Sequence, residues 1–277
     1  MPTFATPEPI TAILEFDIAS VRITASERTD TQVTVLPANP AQEDDVRVAE
    51  GTKVSCVDGR LQLKAPRKRS PFGRSGSLEI TVELPTGSGL QINAPVAHVT
   101  SSGLLGACRV RTSLGDLRLD RTGPAELKTA GTVRLNQAAG DAEVTGMGLI
   151  ELGSIDGTAT VKNTNGEIVV HRATGEISVR SANGRIVVGT AESGVDAKTA
   201  FGDITVAEVT SGKVQLQTST GHLEVGVREG TAAWLDLDTA FGGVHNALPA
   251  TGAPAAGEET VEVRARTGLG DITIRRA

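Results

Sequence analysis

A short pattern built around glycine recurs along most of this chain. A small polar residue is followed three positions later by glycine, and aliphatic residues stand two and four positions after that glycine. Clear copies stand at 110–119, 161–170, 179–188, 197–206, 216–225 and 265–274. The glycines that mark the pattern are Gly115, Gly131, Gly148, Gly166, Gly184, Gly202, Gly221, Gly242 and Gly270. Self-similarity at a fixed short period is the sequence signature of a solenoid.

The aliphatic residues of the pattern form two columns. The first is Leu117, Val133, Ile150, Ile168, Ile186, Ile204, Leu223, Val244 and Ile272, and the second is Leu119, Leu135, Leu152, Val170, Val188, Val206, Val225, Asn246 and Ile274. Only Asn246 breaks them. Alternation of apolar and polar residues predicts strands with one buried face. A weaker glycine falls midway between the strong ones, so the sequence predicts two short strands in each coil of about 18 residues.

These columns predict an all-β fold, a β-solenoid of single-stranded stacked coils with parallel sheets and almost no helix. Stacking at the strand spacing of about 4.8 Å would bury each column as a thin aliphatic core. Such a core agrees with an aromatic content of only 2%. Glycine at each corner would permit positive φ where the chain turns.

The two ends of the chain depart from the repeat. Residues 1–90 carry alternating segments, VRVA at 46–49 among them, and are predicted to form an antiparallel β N-terminal cap. Residues 91–277 are predicted to form the solenoid, with an insertion loop at about 247–260. The segment 231–237 is the one candidate for a helix, and Trp234 within it is interpreted as a local plug rather than a surface anchor. Arg275 and Arg276 are expected to charge the open end of the last coil and so favour a discrete particle.

Composition limits the partners and the compartment. A formal charge of −6 argues against a nucleic-acid partner, which would favour a basic face. Cys56 and Cys108 fit neither a disulfide framework nor a zinc site, and Cys108 lies on the inward phase. The first ten residues show no signal peptide, and no apolar run is long enough to cross a bilayer. We therefore expect a cytoplasmic protein; a surface or secreted location is the alternative if the chain is an adhesin.

One column of charged residues could be interpreted as catalytic. The residues directly after the glycine are Glu167, Arg185, Asp203 and His222 on four successive coils. Asp203 and His222 could act as an acid–base pair. The alternating signs favour a cross-strand charge ladder instead, because no nucleophilic Ser or Cys flanks the pair.

Other candidate chemistry is disfavoured. Gly-Asp recurs at Gly115, Gly140, Gly202 and Gly270, but the intervening coils lack the oxygen ligands of a calcium-binding roll. Carboxylates are too scattered, and aromatic platforms too few, for a carbohydrate-active enzyme. Small polar residues three positions before the glycine are interpreted as a hydrogen-bonded corner ladder; they are Thr112, Thr145, Asn163, Ser181, Thr199, Thr218, Thr239 and Thr267. We expect no catalytic residues, no metal and no cofactor.

Two surface features are candidate contacts for an unknown protein partner. Val169 and Val187 are outward-facing apolar residues on neighbouring coils. The loop around 65–76 carries the basic cluster Arg67, Lys68, Arg69 and Arg74, which could contact an anionic partner. The protein is expected to be a monomer or a small homo-oligomer, and self-assembly into a cytoskeletal type of scaffold is the alternative.

Several segments together resemble a known family. The pattern T-x-x-G-D-[IL]-x-[VIL], the runs TGPAELKTAGTVRL (122–135), VKNTNGEIVV (161–170) and REGTAAWLDLDT (228–239), and the ending VRARTGLGDITIRRA (263–277) carry the likeness. They resemble a bacterial β-strand-repeat family of unknown function labelled "putative adhesin", over roughly residues 10 to 277. The resemblance implies a β-solenoid and a non-enzymatic role in binding or scaffolding.

Overall fold

The computed structural model of the chain describes residues 2–66, 76–249 and 259–277. These residues form 26 strands and one helix. The predicted all-β class is therefore confirmed, and so is the solenoid architecture of strands stacked in parallel. Within the described residues, no helix has the length and apolar character needed to cross a bilayer. Contacts divide the chain into two compact units, Met1–Ala139 and Gly140–Ala277.

Unit 1 contains the helix and twelve strands. The helix α1 spans Glu43–Gly51. The strands are β1 Thr3–Ala5, β2 Thr11–Glu15, β3 Ile18–Ser26, β4 Asp30–Pro37, β5 Lys53–Val57, β6 Arg60–Lys64, β7 Ser77–Pro85, β8 Gly89–Ser102, β9 Cys108–Leu114, β10 Leu117–Thr122, β11 Ala125–Lys128 and β12 Val133–Ala138. The long strand β8 belongs to two stacks: its first half pairs in parallel with β2 and β9, and its second half with β3 and β10.

The antiparallel part of the N-terminal region is present as predicted. Strand β4 runs antiparallel to β1 and β7, and β5 runs antiparallel to β6. These strands join the solenoid through the parallel pairs β3–β7 and β2–β6. The boundary between cap and solenoid at residue 90 stays a prediction.

The predicted strand over 46–49 is wrong, because this segment lies in α1. Glu43, Asp44 and Asp45 form the first turn, where carboxylates interact favourably with the helix dipole. The Asp45 carboxylate also accepts backbone N–H bonds from Asn39 and Ser77, at 3.0 and 2.8 Å. Four residues that alternate in polarity are too few to decide between a helix and a strand.

Unit 2 contains fourteen strands. They are β13 Ala142–Gly146, β14 Ile150–Ile155, β15 Ala159–Asn163, β16 Ile168–Ala173, β17 Ile177–Ser181, β18 Ile186–Ala191, β19 Val195–Lys198, β20 Ile204–Val209, β21 Gly212–Thr220, β22 Leu223–Val227, β23 Ala232–Phe241, β24 Val244–Asn246, β25 Thr260–Leu269 and β26 Ile272–Arg276. Odd-numbered strands pair in parallel with odd ones, and even with even, so two stacks run through the unit. The predicted columns are in register: Ile168 lies beside Ile186, and Ile186 beside Ile204. All three are fully buried.

The order of the last coils differs from their order in the sequence. Strand β25 lies between β21 and β23, and β26 lies between β22 and β24. The final segment of the chain is thus inserted as the penultimate coil. The expectation that Arg275 and Arg276 charge the open end is wrong: Arg275 binds Glu224 of β22, and Arg276 donates to the backbone oxygens of Arg228 and Thr231. The last coil of the stack is formed by β23 and β24. Because Ala232–Phe241 is the strand β23, the helix considered for 231–237 is wrong too.

Close stacking of the corners explains the recurrent glycine. Gly184 has φ +126°, and a Cβ built on it would lie 2.1 Å from the carbonyl oxygen of Gly166 on the preceding coil. Gly131 has no positive φ, yet a Cβ there would approach the Gly115 oxygen to 2.4 Å. Contact between neighbouring backbones, more than turn geometry, therefore excludes side chains at these corners.

Candidate functional site

The Asp and His side chains that follow the corner glycines bind backbone amides. The N–H of His222 donates to Asp203 Oδ1 at 2.8 Å, and the N–H of Asp271 donates to His222 Nδ1 at 3.0 Å. Asp271 in turn accepts the N–H of Gly243 at 2.8 Å. Each of these side chains accepts a hydrogen bond from a backbone N–H of the neighbouring coil, so Asp203 and His222 have a structural role.

The predicted corner ladder of small polar residues is also present. The hydroxyl groups of Thr218 and Thr267 donate to the carbonyl oxygens of Gly202 and Gly221, at 3.1 and 2.9 Å. Asn163 fills the same role with its amide, which donates to the Gly148 oxygen at 3.0 Å. Thr145 was placed in this column wrongly: it pairs with Lys162, and Gly146 occupies the corner position beside Asn163.

The cysteines offer no reactive centre. Cys108 is buried, as predicted, and burial raises the pKa of its thiol to about 12. A thiol with this pKa stays protonated near neutral pH and is a poor nucleophile. Burial also raises the pKa of Cys56, which is partly exposed. In the part of the chain that the structure describes, no three His, Cys, Asp or Glu side chains are grouped as a metal site would need.

One of the two predicted contact surfaces lies in the described part of the chain. Val169 and Val187 are directly paired on β16 and β18, and both are half-buried. The residues next to them in this row are Glu151 and Thr205, so the apolar patch is only two residues wide. The basic cluster of Arg67, Lys68, Arg69 and Arg74 lies outside the described residues. Both surfaces stay predictions.

A larger candidate site is the open end of unit 2, which we define as strands β23 and β24. In the described structure, β23 pairs with β25 and with no second strand, so one edge of this ten-residue strand is unpaired. Its inward residues Ala233, Leu235 and Leu237 are only half-buried. Their partners on β25 are almost completely buried. One further strand would bury the inward residues of β23 to the same degree.

Exposed aromatic and aliphatic side chains surround this end. Trp234 is 56% exposed, and the Arg264 guanidinium lies 5.8 Å from the centre of its ring, which is cation–π distance. Trp234 is therefore a surface residue, and the plug interpretation is wrong. Phe241 is 73% exposed and pairs with Leu269, which is 55% exposed. Val244 of β24 is 45% exposed, although the sequence placed it in a buried column.

Sequence reasoning missed this site because it assumed that chain order and coil order agree. One signal was present: Asn246 breaks the second aliphatic column. A polar residue at an inward position is tolerated where the position is not enclosed, and Asn246 is indeed exposed on β24.

The chain is similar to one protein family and to several solved structures. Residues 13–275 match the model of the family described as Toastrack DUF4097. A solved structure from Bacteroides fragilis described as a putative adhesin is 17% identical, with 99% of this chain and 95% of that chain covered and a TM-score of 0.39. A putative adhesin from Parabacteroides distasonis is 13% identical, with 98% and 95% covered and a TM-score of 0.40. A putative cell adhesion protein from Clostridium sporogenes is 12% identical, with 100% and 98% covered and a TM-score of 0.24.

No curated protein sequence matches the chain. The family model, in contrast, begins within β2 and ends within β26, and so includes the repeats, the corners and the open end. On this match, the protein belongs to the Toastrack DUF4097 family.

Proposed function

We propose that this protein is a non-catalytic binding module that captures an extended segment of a partner protein by strand addition along β23. The observation that supports this most directly is the unpaired edge of β23. Strand addition uses main-chain hydrogen bonds for affinity and alternate side chains for specificity.

The backbone of β23 presents the groups that an added strand needs. The N–H of Ala232 donates to the Glu259 oxygen at 2.9 Å, on the side of β25. In a parallel pair, the hydrogen-bonding groups of successive residues point to opposite sides. The N–H and C=O groups of Ala233, Leu235 and Leu237 therefore point to the open side. Unpaired strand edges of this length are templates for pairing with another chain.

The side chains of β23 indicate the chemistry of the partner segment. Its outward residues include Asp236 and Asp238, which lie opposite Arg264 and Arg266 of β25. Arg266 approaches the Asp236 carboxylate to 3.6 Å. A partner strand with aliphatic residues facing inward and cationic residues facing outward would make the same kinds of side-chain contact with the open side of β23 that β25 makes with its other side.

A non-catalytic role is supported by how the corner side chains are used. Asp203, His222 and Asp271 each accept a hydrogen bond from a backbone amide, and the large exposed side chains at the open end, Trp234, Phe241 and Val244, are apolar. The cytoplasmic location expected from the sequence stays a prediction, which fractionation of the native cells tests.

Self-assembly is the second candidate, favoured by one observation. Among the described residues, β5 of unit 1 pairs only with β6, and it exposes Val57 and Lys53. Pairing of β23 with β5 of a second copy would bring Lys53 toward the acidic residues of β23. A head-to-tail contact of this kind generates filaments when it does not close into a ring.

The test uses the peptide TVEVRART, which has the sequence of the first eight residues of β25, and the single tryptophan of the chain as reporter. Because Trp234 lies on β23, binding at this edge should change its fluorescence. The Ala233→Pro variant removes one open-side N–H without touching the bond between Ala232 and Glu259, and proline is tolerated on a strand edge. We expect this variant to bind the peptide about tenfold more weakly or worse.

The charge-reversed peptide TVEVEAET is the control for complementarity and is expected not to bind. Equal affinity of the wild type and Ala233→Pro for TVEVRART would contradict strand addition at β23. Sedimentation velocity separates the two candidates: mass that rises with concentration in the wild type, and not in Ala233→Pro, would indicate that the occupant of the edge is a second copy.

A further inference from the structure

Two Asn-Gly pairs stand at the corners of neighbouring coils, Asn165-Gly166 and Asn183-Gly184. In such a pair the backbone nitrogen of glycine can attack the side-chain carbonyl carbon of asparagine, because glycine has no Cβ that obstructs the approach. The two pairs occupy the same position of the repeat. The structure nevertheless gives them different hydrogen bonds, and these bonds bear directly on the groups that would react.

The attacking nitrogen is held by a hydrogen bond in one pair and is open in the other. The Gly184 N–H donates to the Phe201 oxygen at 2.9 Å, so attack by this nitrogen requires a bond between two coils to break first. Among the residues that the structure describes, none accepts a hydrogen bond from the Gly166 N–H. Asn165 and Gly166 are both exposed. Hydroxide or buffer base can therefore reach the Gly166 N–H and remove its proton.

Two neighbouring side-chain amides activate the Asn165 pair. Asn183 Nδ2 donates to Asn165 Oδ1 at 2.9 Å and so withdraws electron density from the carbonyl carbon that is attacked. Asn163 Nδ2 donates to the backbone oxygen of Asn165 at 2.8 Å. That oxygen belongs to the same peptide group as the Gly166 nitrogen, so the bond stabilises the negative charge that the group carries once the proton has left. The electrophile and the nucleophile thus each have a hydrogen-bond donor.

The Asn183 pair has less of this support. Its backbone oxygen accepts the Ser181 hydroxyl at 3.2 Å, which is longer than the bond that Asn163 makes to Asn165. The side-chain amide of Asn183 is itself the donor to Asn165, and no residue in the described ranges donates to Asn183 Oδ1. The same dipeptide at the same repeat position therefore differs in both of its reacting groups.

We infer that Asn165 is a site of spontaneous deamidation, a modification that consumes one water molecule and releases one ammonia molecule. The Gly166 nitrogen loses its proton to solvent base and forms a bond to Asn165 Cγ. The bond from Cγ to the side-chain nitrogen breaks, and that nitrogen takes up a proton from solvent and leaves as ammonia. Water then opens the cyclic imide: attack at Cγ gives aspartate, and attack at the backbone carbonyl carbon gives isoaspartate. No oxidation or reduction takes place.

The product changes both the charge and the backbone of this corner. One negative charge is added to a chain whose net charge is already −6. Isoaspartate also lengthens the backbone by one carbon. A Cβ on Gly166 would already lie 2.7 Å from the Gly148 oxygen of the preceding coil, so the corner must shift to accept that carbon. The site does not involve β23, and the deamidation and strand-addition proposals can therefore fail independently.

The experiment keeps the full chain in mildly alkaline buffer for several weeks and follows both pairs in tryptic peptides by mass spectrometry. Trypsin separates them, since Asn165 falls in NTNGEIVVHR (163–172) and Asn183 in SANGR (181–185). In the folded chain we expect Asn165 to react at least about fivefold faster than Asn183, because attack at Asn183 must first break the Gly184 bond. In the chain unfolded by urea, which lacks these bonds, the difference should disappear.

Two variants test the chemistry and its consequence. Asn183→Ala removes the donor to Asn165 Oδ1, so it is expected to slow the reaction of Asn165 about threefold in the folded chain and not in the unfolded one. Asn165→Asp carries the new charge without the additional backbone carbon. We expect it to unfold at a higher urea concentration than wild-type chains in which Asn165 has become isoaspartate.

The expected product at Asn165 is a mixture of aspartate and isoaspartate, which chromatography of the 163–172 peptide separates. The inference is overturned if the two pairs react equally fast in the folded chain or if Asn183 reacts faster. It is also overturned if Asn165 stays unchanged in the folded chain while the unfolded chain reacts. Aspartate without isoaspartate would contradict the imide route, since direct hydrolysis of the side-chain amide gives aspartate alone.

Discussion

Replacing Ile272 by alanine is expected to lower the free energy of unfolding by about 2 to 5 kcal/mol. Ile272 is fully buried between Leu223 of β22 and Val244 of β24. Truncation would remove three buried carbon atoms and leave a cavity closed on both sides by neighbouring rungs. The loss should equal that of Ile186→Ala, which lies in the middle of the stack. Urea unfolding followed by circular dichroism measures both.

Val244→Ala is the matched control, because Val244 occupies the same repeat position and lies directly beside Ile272. Its side chain is 45% exposed, so we expect a loss below about 1 kcal/mol. If β26 were the last rung, as chain order suggests, the ranking would be reversed. A larger loss for Val244→Ala than for Ile272→Ala would therefore contradict the inserted position of β25 and β26.

Gly184→Ala is expected to cost at least about 3 kcal/mol, because two penalties act together. The backbone at Gly184 has φ +126°, which residues with a Cβ rarely adopt. The added Cβ would also stand 2.1 Å from the Gly166 oxygen, so the two coils would have to separate. Such a separation would also disturb the bond from the Asn183 N–H to the Thr164 oxygen, which joins the same two coils.

Gly230→Ala separates these two penalties. Gly230 also has a positive φ, +82°, but a Cβ on it would meet no atom within 4 Å. Only the backbone strain would then lower the free energy of unfolding, by about 1 to 2 kcal/mol. Equal losses in Gly184→Ala and Gly230→Ala, measured by urea unfolding, would show that coil contact is not what demands glycine at the corners.

The sequence was sufficient to predict how each coil is built. The columns that contain Ile168, Ile186 and Ile204 are buried and in register, because period-two alternation directly determines which side of a strand faces the core. The corner threonines were identified from spacing alone, apart from Thr145. In each case a local sequence pattern determines the local structure, and every coil that carries the pattern has that structure.

The order of the coils could not be predicted in the same way. All coils present similar inward columns, so the stacking energy of one coil on another depends little on which two coils meet. Insertion of β25 and β26 before β23 and β24 is therefore compatible with the same pattern. The exposed Asn246 was the one residue that conflicted with chain order, and the exposure of Trp234 follows from the same rearrangement.

The candidate surfaces differ in how visible they are in the sequence. The aliphatic columns can be read from aligned repeats, since Ile168, Ile186 and Ile204 share one position. The open edge of β23 has no such signature, because an edge is defined by a missing neighbour and not by its own residues. Short apolar pairs such as Val169 and Val187 are easily seen, yet the structure leaves them half-buried.

The strand-addition proposal is tested most directly by amide hydrogen exchange measured residue by residue along β23, with and without the TVEVRART peptide. In the free protein, we predict fast exchange at Ala233, Leu235 and Leu237 and slow exchange at Trp234 and Asp236, because only the latter two point their amides toward β25. Saturating peptide should slow the three fast amides. Slow exchange at those three without peptide, or no change when the peptide is bound, would contradict the account.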